Sequence, residues 1–181
     1  MSGSLKIKLS MDNQRLVKRL TTDVVNSAFV AQVQSEVVDG QIKKAMLSGL
    51  SPVRGRGRFN AYKDPAKYPG DDKTRKRLKP NRPVNLYLTG ELQKWLVAIK
   101  NTAKAGTSLF VGIDPNAPKN VKGKALGNNE GTFNASTGEF QIVDRRFIPL
   151  EGEQWNVTIT RTIKDLFAKR LQQLFNDGRY K

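Results

Sequence analysis

The chain has 181 residues, 38% of them hydrophobic, and its 32 Lys and Arg against 16 Asp and Glu give a formal net charge of +16. This length predicts a single domain over residues 1–181 with one core, and the excess of positive charge favours polyanions or acidic protein surfaces as partners. Because the chain has neither cysteine nor histidine, disulfides, Cys/His zinc sites and catalysis by a histidine base or a cysteine nucleophile are excluded.

The N-terminal region predicts a strand followed by a long helix. Apolar and polar residues alternate over residues 4–10, which is typical of a strand with one buried face. From Gln14 to about Ser48, apolar residues recur every three to four positions, which predicts one face of a long helix. Gly40 marks an alternative break in this helix, and Gly49 suits its C-terminal cap.

A basic segment over residues 51–83 follows this helix and contains several prolines and glycines. Proline removes amide donors and disfavours helical geometry, so we expect an extended arm or a long loop inserted into the domain. Loops of this length inside a domain are usually functional or ordered by a partner. The arginines at its start are suited to bind phosphates or the carboxylates of a neighbouring subunit.

The aromatic residues among these basic residues leave two interpretations open. Aromatic rings beside basic side chains can stack on nucleic-acid bases or on guanidinium groups. They can also anchor the arm to its own domain or to a neighbouring subunit. We favour anchoring, because the sequence contains no recognisable RNA-binding module.

The second half of the chain predicts strands, a loop and a closing helix. Residues 84–88 alternate as in a strand, and two alternating runs around Gly106 predict a β-hairpin over residues 95–113, with a helix over residues 91–104 as the competing interpretation. Residues 114–138 are rich in Asn, Gly, Pro and Ser and are predicted to form a second long loop. Helical spacing over Gln154–Asn176 predicts a last helix that packs on the sheet. The predicted fold class is α+β, with long N-terminal and C-terminal helices on a small antiparallel sheet.

Motifs for catalysis are missing from the sequence. The segment PVRGRGRF lacks the glycine-lysine-serine/threonine ending of a phosphate-binding loop. The acidic pairs Asp71/Asp72 and Glu151/Glu153 lie in polar loops and are expected to be solvated. We therefore predict no enzymatic activity, no metal site and no cofactor; an enzyme using carboxylates and Mg²⁺ is the weakest alternative.

Two short motifs resemble those of the small tail-completion proteins of tailed bacteriophages, which join the tail to the head. The first is LYLTGEL over residues 86–92, where Thr89, Gly90 and Leu92 match the family's threonine-glycine-x-leucine segment. The second is RRFIP over residues 145–149, which matches an arginine-x-phenylalanine-x-proline segment before the C-terminal helix. Its matching residues are Arg145 or Arg146, Phe147 and Pro149.

The resemblance implies a structural protein of the virion that forms a ring, usually six-fold, in the neck. The implied partners are head-side connector or portal-adaptor proteins, tail tube or tail terminator proteins, and the genomic DNA in the channel. In such a ring we expect one set of arm residues to make the inter-subunit contacts: Arg54, Arg56, Arg58, Phe59, Tyr62 and Tyr68. We expect a second set to face DNA: Lys73, Arg75, Lys76, Arg77, Lys79 and Arg82. The N-terminus lacks the apolar core of a signal peptide and no run is long enough to span a bilayer. We thus expect no membrane association, assembly in the host cytoplasm and a final place in the virion. The alternative function is that of a free, sequence-independent nucleic-acid-binding protein.

Overall fold

The computed structural model describes residues 11–59, 90–103, 106–134, 139–141 and 145–178. The strands predicted over residues 4–10 and 84–88 lie outside these residues, as does the predicted arm beyond Phe59.

The described residues form an α+β fold with helices at both ends, as predicted, and with two small antiparallel sheets of two strands each. The elements in chain order are α1 (Met11–Val24), α2 (Ser27–Val33), a π-helical segment (Gln34–Ile42), α3 (Lys43–Leu47), α4 (Glu91–Lys94), β1 (Leu96–Ala103), β2 (Gly106–Ile113), α5 (Lys119–Asn129), β3 (Thr132–Asn134), β4 (Glu139–Gln141) and α6 (Val157–Asn176).

The predicted long N-terminal helix is interrupted at Asn26 and not at Gly40. Asn26 has an extended backbone, and its side-chain oxygen accepts a hydrogen bond of 2.9 Å from the amide of Phe29. An asparagine side chain can thus end one helix and cap the next. Gly40 lies inside the π-helical segment, and Gly49 follows α3 with a φ of 73°, as expected of a glycine cap.

The π-helical segment contributes three residues to the hydrophobic core. Val37, Val38 and Ile42 have no exposed surface, and the segment packs against both β1 and α6. Its wider turns bond residues five apart, as in the bond from the Lys43 amide to the Val38 carbonyl.

The predicted β-hairpin is confirmed. Strands β1 and β2 pair antiparallel from Leu96 opposite Ile113 to Ala103 opposite Gly106. The competing helix over residues 91–104 forms only one short turn, α4. The hairpin packs on α1, α2 and the π-helical segment, and Leu96 is fully buried at its base.

The C-terminal helix was predicted to pack on the sheet, but it packs chiefly on the N-terminal helices and the π-helical segment, which themselves contact the hairpin. It begins at Val157, three residues later than predicted, because residues 154–156 form backbone contacts with residues 52–54. Asn156 caps the helix, its side-chain oxygen accepting from the Ile159 amide at 3.0 Å.

The prediction of one loop over residues 114–138 is wrong, because residues 119–129 form α5. Its buried residues Val121, Ala125 and Asn129 are four positions apart and lie on one face. Burial of that face stabilises a helix that its glycines and asparagines disfavour by propensity.

Candidate interaction site

The first part of the predicted arm is a turn that folds back onto the domain. We call residues 50–59 the arm base. Leu50 and Arg58 form an antiparallel bridge across it, and the amide of Phe59 donates to the carbonyl of Gly49 at 2.9 Å. Phe59 is 5% exposed and belongs to the hydrophobic core. Of the two predicted alternatives, an extended arm or a long loop, residues 51–59 form a loop that docks on the domain, because several of their backbone amides and the Phe59 side chain find partners within the domain.

The arm base lies against the segment that joins the second sequence motif to α6. We call residues 145–156 the motif loop. Val53 forms an antiparallel bridge with Trp155. The backbone amide of Arg54 donates to the carbonyl of Gln154 at 2.8 Å, and its guanidinium donates to the side-chain oxygen of Gln154 at 3.1 Å. Two parts of the sequence about a hundred residues apart are thereby held together.

Glu153 is the carboxylate on which the arm base and the motif loop converge. Its Oε1 atom accepts from Arg56 Nη2 at 2.8 Å and from Arg146 Nη1 at 2.7 Å. Its Oε2 atom accepts from the Leu150 amide at 3.0 Å. The side chain is 21% exposed, so the prediction that this glutamate is a solvated loop carboxylate is wrong.

The pKa of Glu153 reflects two opposed effects. Burial disfavours the charged carboxylate and by itself raises the pKa. The hydrogen bonds from Leu150, Arg56 and Arg146, with the positive charge of Arg146, outweigh burial and hold the pKa below its ordinary value of 4.5. The carboxylate is therefore ionised at neutral pH and binds both guanidinium groups by charge-assisted hydrogen bonds.

Asn129, the last residue of α5, accepts hydrogen bonds from the backbone of the second motif. Its Oδ1 atom accepts from the amides of Phe147 and Ile148 at 3.0 and 2.9 Å. Its backbone carbonyl accepts from Arg146 Nε at 2.9 Å. Phe147 is fully buried, so Asn129 satisfies backbone donors that water cannot reach easily.

The first motif meets the same helix at another point. Gly90 has a φ of 73°, in the left-handed region that favours glycine, and immediately precedes α4. Leu92 is buried in the core. Glu91 and Lys124 of α5 form an ion pair of 3.3 Å. Helix α5 thus contacts residues of both motifs.

Some of the residues predicted to contact a neighbouring subunit make contacts within their own chain. Arg54 and Arg56 bind Gln154 and Glu153, and Phe59 is anchored to its own domain, whereas Arg58 is exposed. Of the motif positions, Gly90, Leu92, Arg146, Phe147 and Pro149 are described. The remaining predicted residues lie outside the described residues: Tyr62, Tyr68, Lys73, Arg75, Lys76, Arg77, Lys79, Arg82 and Thr89.

Sequence reasoning missed Asn129 and the pairing of Glu153. The spacing of four between Val121, Ala125 and Asn129 is a signal for the helix that carries this asparagine. Nothing in the sequence pairs Glu153 with Arg56, since that contact depends on how two distant loops pack.

Within the described ranges, no group of three or more His, Cys, Asp or Glu side chains could hold a metal ion. None of the described helices is both long and apolar enough to cross a membrane. The chemistry of the site is that of structural ion pairs and hydrogen bonds.

Comparisons of the chain with protein-family models, with curated proteins and with solved structures gave no match. The resemblance to tail-completion proteins therefore depends on the two motifs and on their order in the chain.

Proposed function

We propose that this chain is a structural virion protein of a tailed bacteriophage, forming a ring in the neck that joins the head connector to the tail. The ring is six-fold, as in the family that the motifs resemble. Its neighbours are the head-side connector or portal-adaptor proteins and the tail tube or terminator proteins. It assembles in the host cytoplasm and has no catalytic role.

The observation that best supports this proposal is the docking of the arm base on the motif loop through Glu153. Arg56 belongs to the basic segment and Arg146 to the second motif, yet both bind one carboxylate oxygen. This contact ties the start of the basic segment to the domain. A segment whose first residues are already held by the domain loses less conformational entropy on contacting a neighbouring subunit than a segment that is free at both ends.

The net charge of +16 also suits this role. A ring around a genome channel lies close to DNA phosphates, and positive charge lowers the free energy of holding DNA there. Repeated contacts between subunits close into a ring when the rotation between neighbours fits.

The protein's location in purified particles tests the proposal. Gold-labelled antibody and electron microscopy should place it at the junction of head and tail, and mass spectrometry should find it in stoichiometric amounts. Tailless heads, examined in the same way, would show whether it joins the head before the tail arrives. Its absence from complete particles would contradict a neck role.

A second candidate is a free, sequence-independent nucleic-acid-binding protein, which the same positive charge favours. That function requires affinity for duplex DNA that falls steeply with salt, because each neutralised phosphate releases counterions. Negligible DNA binding at low salt would exclude it.

A further inference from the structure

A groove opens between the arm base and the first turns of α6. It has a volume of about 410 Å³ and is lined in part by Arg54, Trp155, Val157, Arg161 and Lys164. Arg161 and Lys164 are three positions apart on α6, so their side chains lie on the same side of the helix. Trp155 is fixed at the edge by its backbone bridge to Val53.

The charge of this groove is strongly one-sided. Three cationic side chains line it against a single carboxylate, that of Asp165. Among the described residues, neither Arg161 nor Lys164 forms an ion pair. Arg54 donates to the neutral side chain of Gln154, which leaves its positive charge uncompensated.

The groove also presents apolar surface beside these charges. Val157, the first residue of α6, is 53% exposed, and Trp155 is half-buried. An aromatic ring and an aliphatic side chain next to guanidinium groups suit a ligand that carries both carboxylates and an apolar side chain. The phosphates of duplex DNA would pair with the cations, but the bases are held inside the duplex and would leave Trp155 and Val157 without an apolar partner.

We propose that this groove binds an acidic segment of another protein. Carboxylates of the segment pair with Arg54, Arg161 and Lys164, and an apolar side chain packs on Trp155 and Val157. Bidentate pairing of carboxylates with arginine fixes the orientation of the bound segment, and burial of the apolar side chain adds to its affinity. The proposal depends on the groove alone and holds whether or not the chain belongs to a phage neck.

Peptide binding to the full-length protein tests this inference. The probe is a fluorescein-labelled peptide of aspartates and glutamates around a central phenylalanine, with fluorescence anisotropy as the measurement. A matched peptide has serine in place of phenylalanine. The phenylalanine peptide should bind more tightly, and Val157→Ser should remove that preference, because the valine is exposed and contributes apolar surface.

Charge reversal gives the decisive comparison. Arg161→Glu should weaken binding of the phenylalanine peptide by about tenfold or more. Lys169→Glu changes the net charge equally at an exposed position of the same helix, and should leave affinity within about twofold. Circular dichroism and thermal unfolding confirm that both variants are folded.

Three results would overturn the proposal. The first is equal weakening by the two charge reversals, which would mean that the peptide responds only to net charge. The second is absence of peptide binding at low salt. The third is displacement of the peptide by duplex DNA, together with DNA binding that Arg161→Glu weakens more than Lys169→Glu does. That result would mean that the groove binds phosphates.

Discussion

Glu153 connects the arm base to the motif loop because one carboxylate satisfies three donors. Arg56 and Arg146 bind Oε1, while the Leu150 amide binds Oε2. The side chain of Arg146 is 15% exposed and that of Arg56 is 36% exposed. The bond to Arg146 is therefore the less screened of the two and should contribute more to stability.

Replacement of Glu153 by glutamine should lower the free energy of unfolding by about 1–3 kcal/mol. Glutamine keeps the size of the side chain but removes the charge that holds two guanidinium groups. Chemical denaturation followed by circular dichroism measures the change. Glu151→Gln is the matched control, because Glu151 is exposed, and its effect should stay within about 0.5 kcal/mol. Equal effects of the two substitutions would contradict the role of Glu153.

The pKa of Glu153 also predicts a pH dependence. Because the folded-state pKa lies below the ordinary value of 4.5, the unfolded chain binds more protons between these two values. The stability that Glu153 contributes is thus fully present above about pH 5 and is lost as the pH falls through the folded pKa. The difference in unfolding free energy between wild type and Glu153→Gln should be constant from pH 7 to about pH 5 and shrink below it. A difference that grows on acidification would reverse the assigned direction.

Helix α5 joins the two sequence motifs at the scale of elements. Its Lys124 pairs with Glu91 beside the first motif, and its last residue, Asn129, holds the backbone of the second. The first contact is solvent-exposed and should contribute little. The second lies in the core, so the position of the motif loop depends mainly on Asn129.

Replacement of Asn129 by alanine should destabilise the protein by about 2–4 kcal/mol, since the amides of Phe147 and Ile148 lose their acceptor. Thermal unfolding measures the loss. Asn129→Asp keeps an acceptor at the same place and should recover much of the stability. Asn128→Ala, which removes only a bond to the Lys124 carbonyl, serves as the control and should cost about 1 kcal/mol or less. Similar losses at positions 128 and 129 would argue against this anchoring.

At the scale of the whole molecule, the described residues anchor the chain on both sides of the basic segment. The chain is anchored at Phe59 on one side of residues 60–89 and at Leu92 on the other, and both side chains belong to the hydrophobic core. The residues between these anchors include the predicted DNA-facing set. A change confined to this segment should therefore leave the domain folded.

Replacement of residues 60–83 by a glycine-serine linker of equal length should preserve folding but prevent the joining of heads to tails. The linker keeps the number of residues between the two anchors and removes the basic and aromatic side chains. Complementation of a phage lacking the protein, with counts of infectious particles and of free heads and tails, measures the effect. Full infectivity with the linker would contradict the proposed role of the arm. Arg58→Ala, which removes an exposed cation of the arm base and keeps the docked turn, is the control and should leave the joining of heads to tails intact if the role belongs to the residues beyond Phe59.

The sequence by itself determined those helices and strands whose apolar residues recur with a clear period. The hairpin and both terminal helical regions follow from alternation and from apolar spacing, because these periods match the geometry of strands and helices. Gly49 and Gly178, each with a positive φ, follow helices as glycine caps should. The absence of cysteine and histidine excludes disulfides and Cys/His zinc sites whatever the fold.

Only the tertiary structure decided how the loops fold and which charges meet. Helix α5 forms from glycine-rich sequence because its buried face packs in the core, and tertiary burial can exceed a weak propensity. Residues 51–59 dock as a turn because the motif loop supplies backbone and carboxylate partners. Such contacts join residues about a hundred positions apart, and they cannot be predicted from the sequence around either residue. The physical reason is that propensity and periodicity act over a few neighbouring residues, whereas ion pairs and burial depend on the packing of the whole chain.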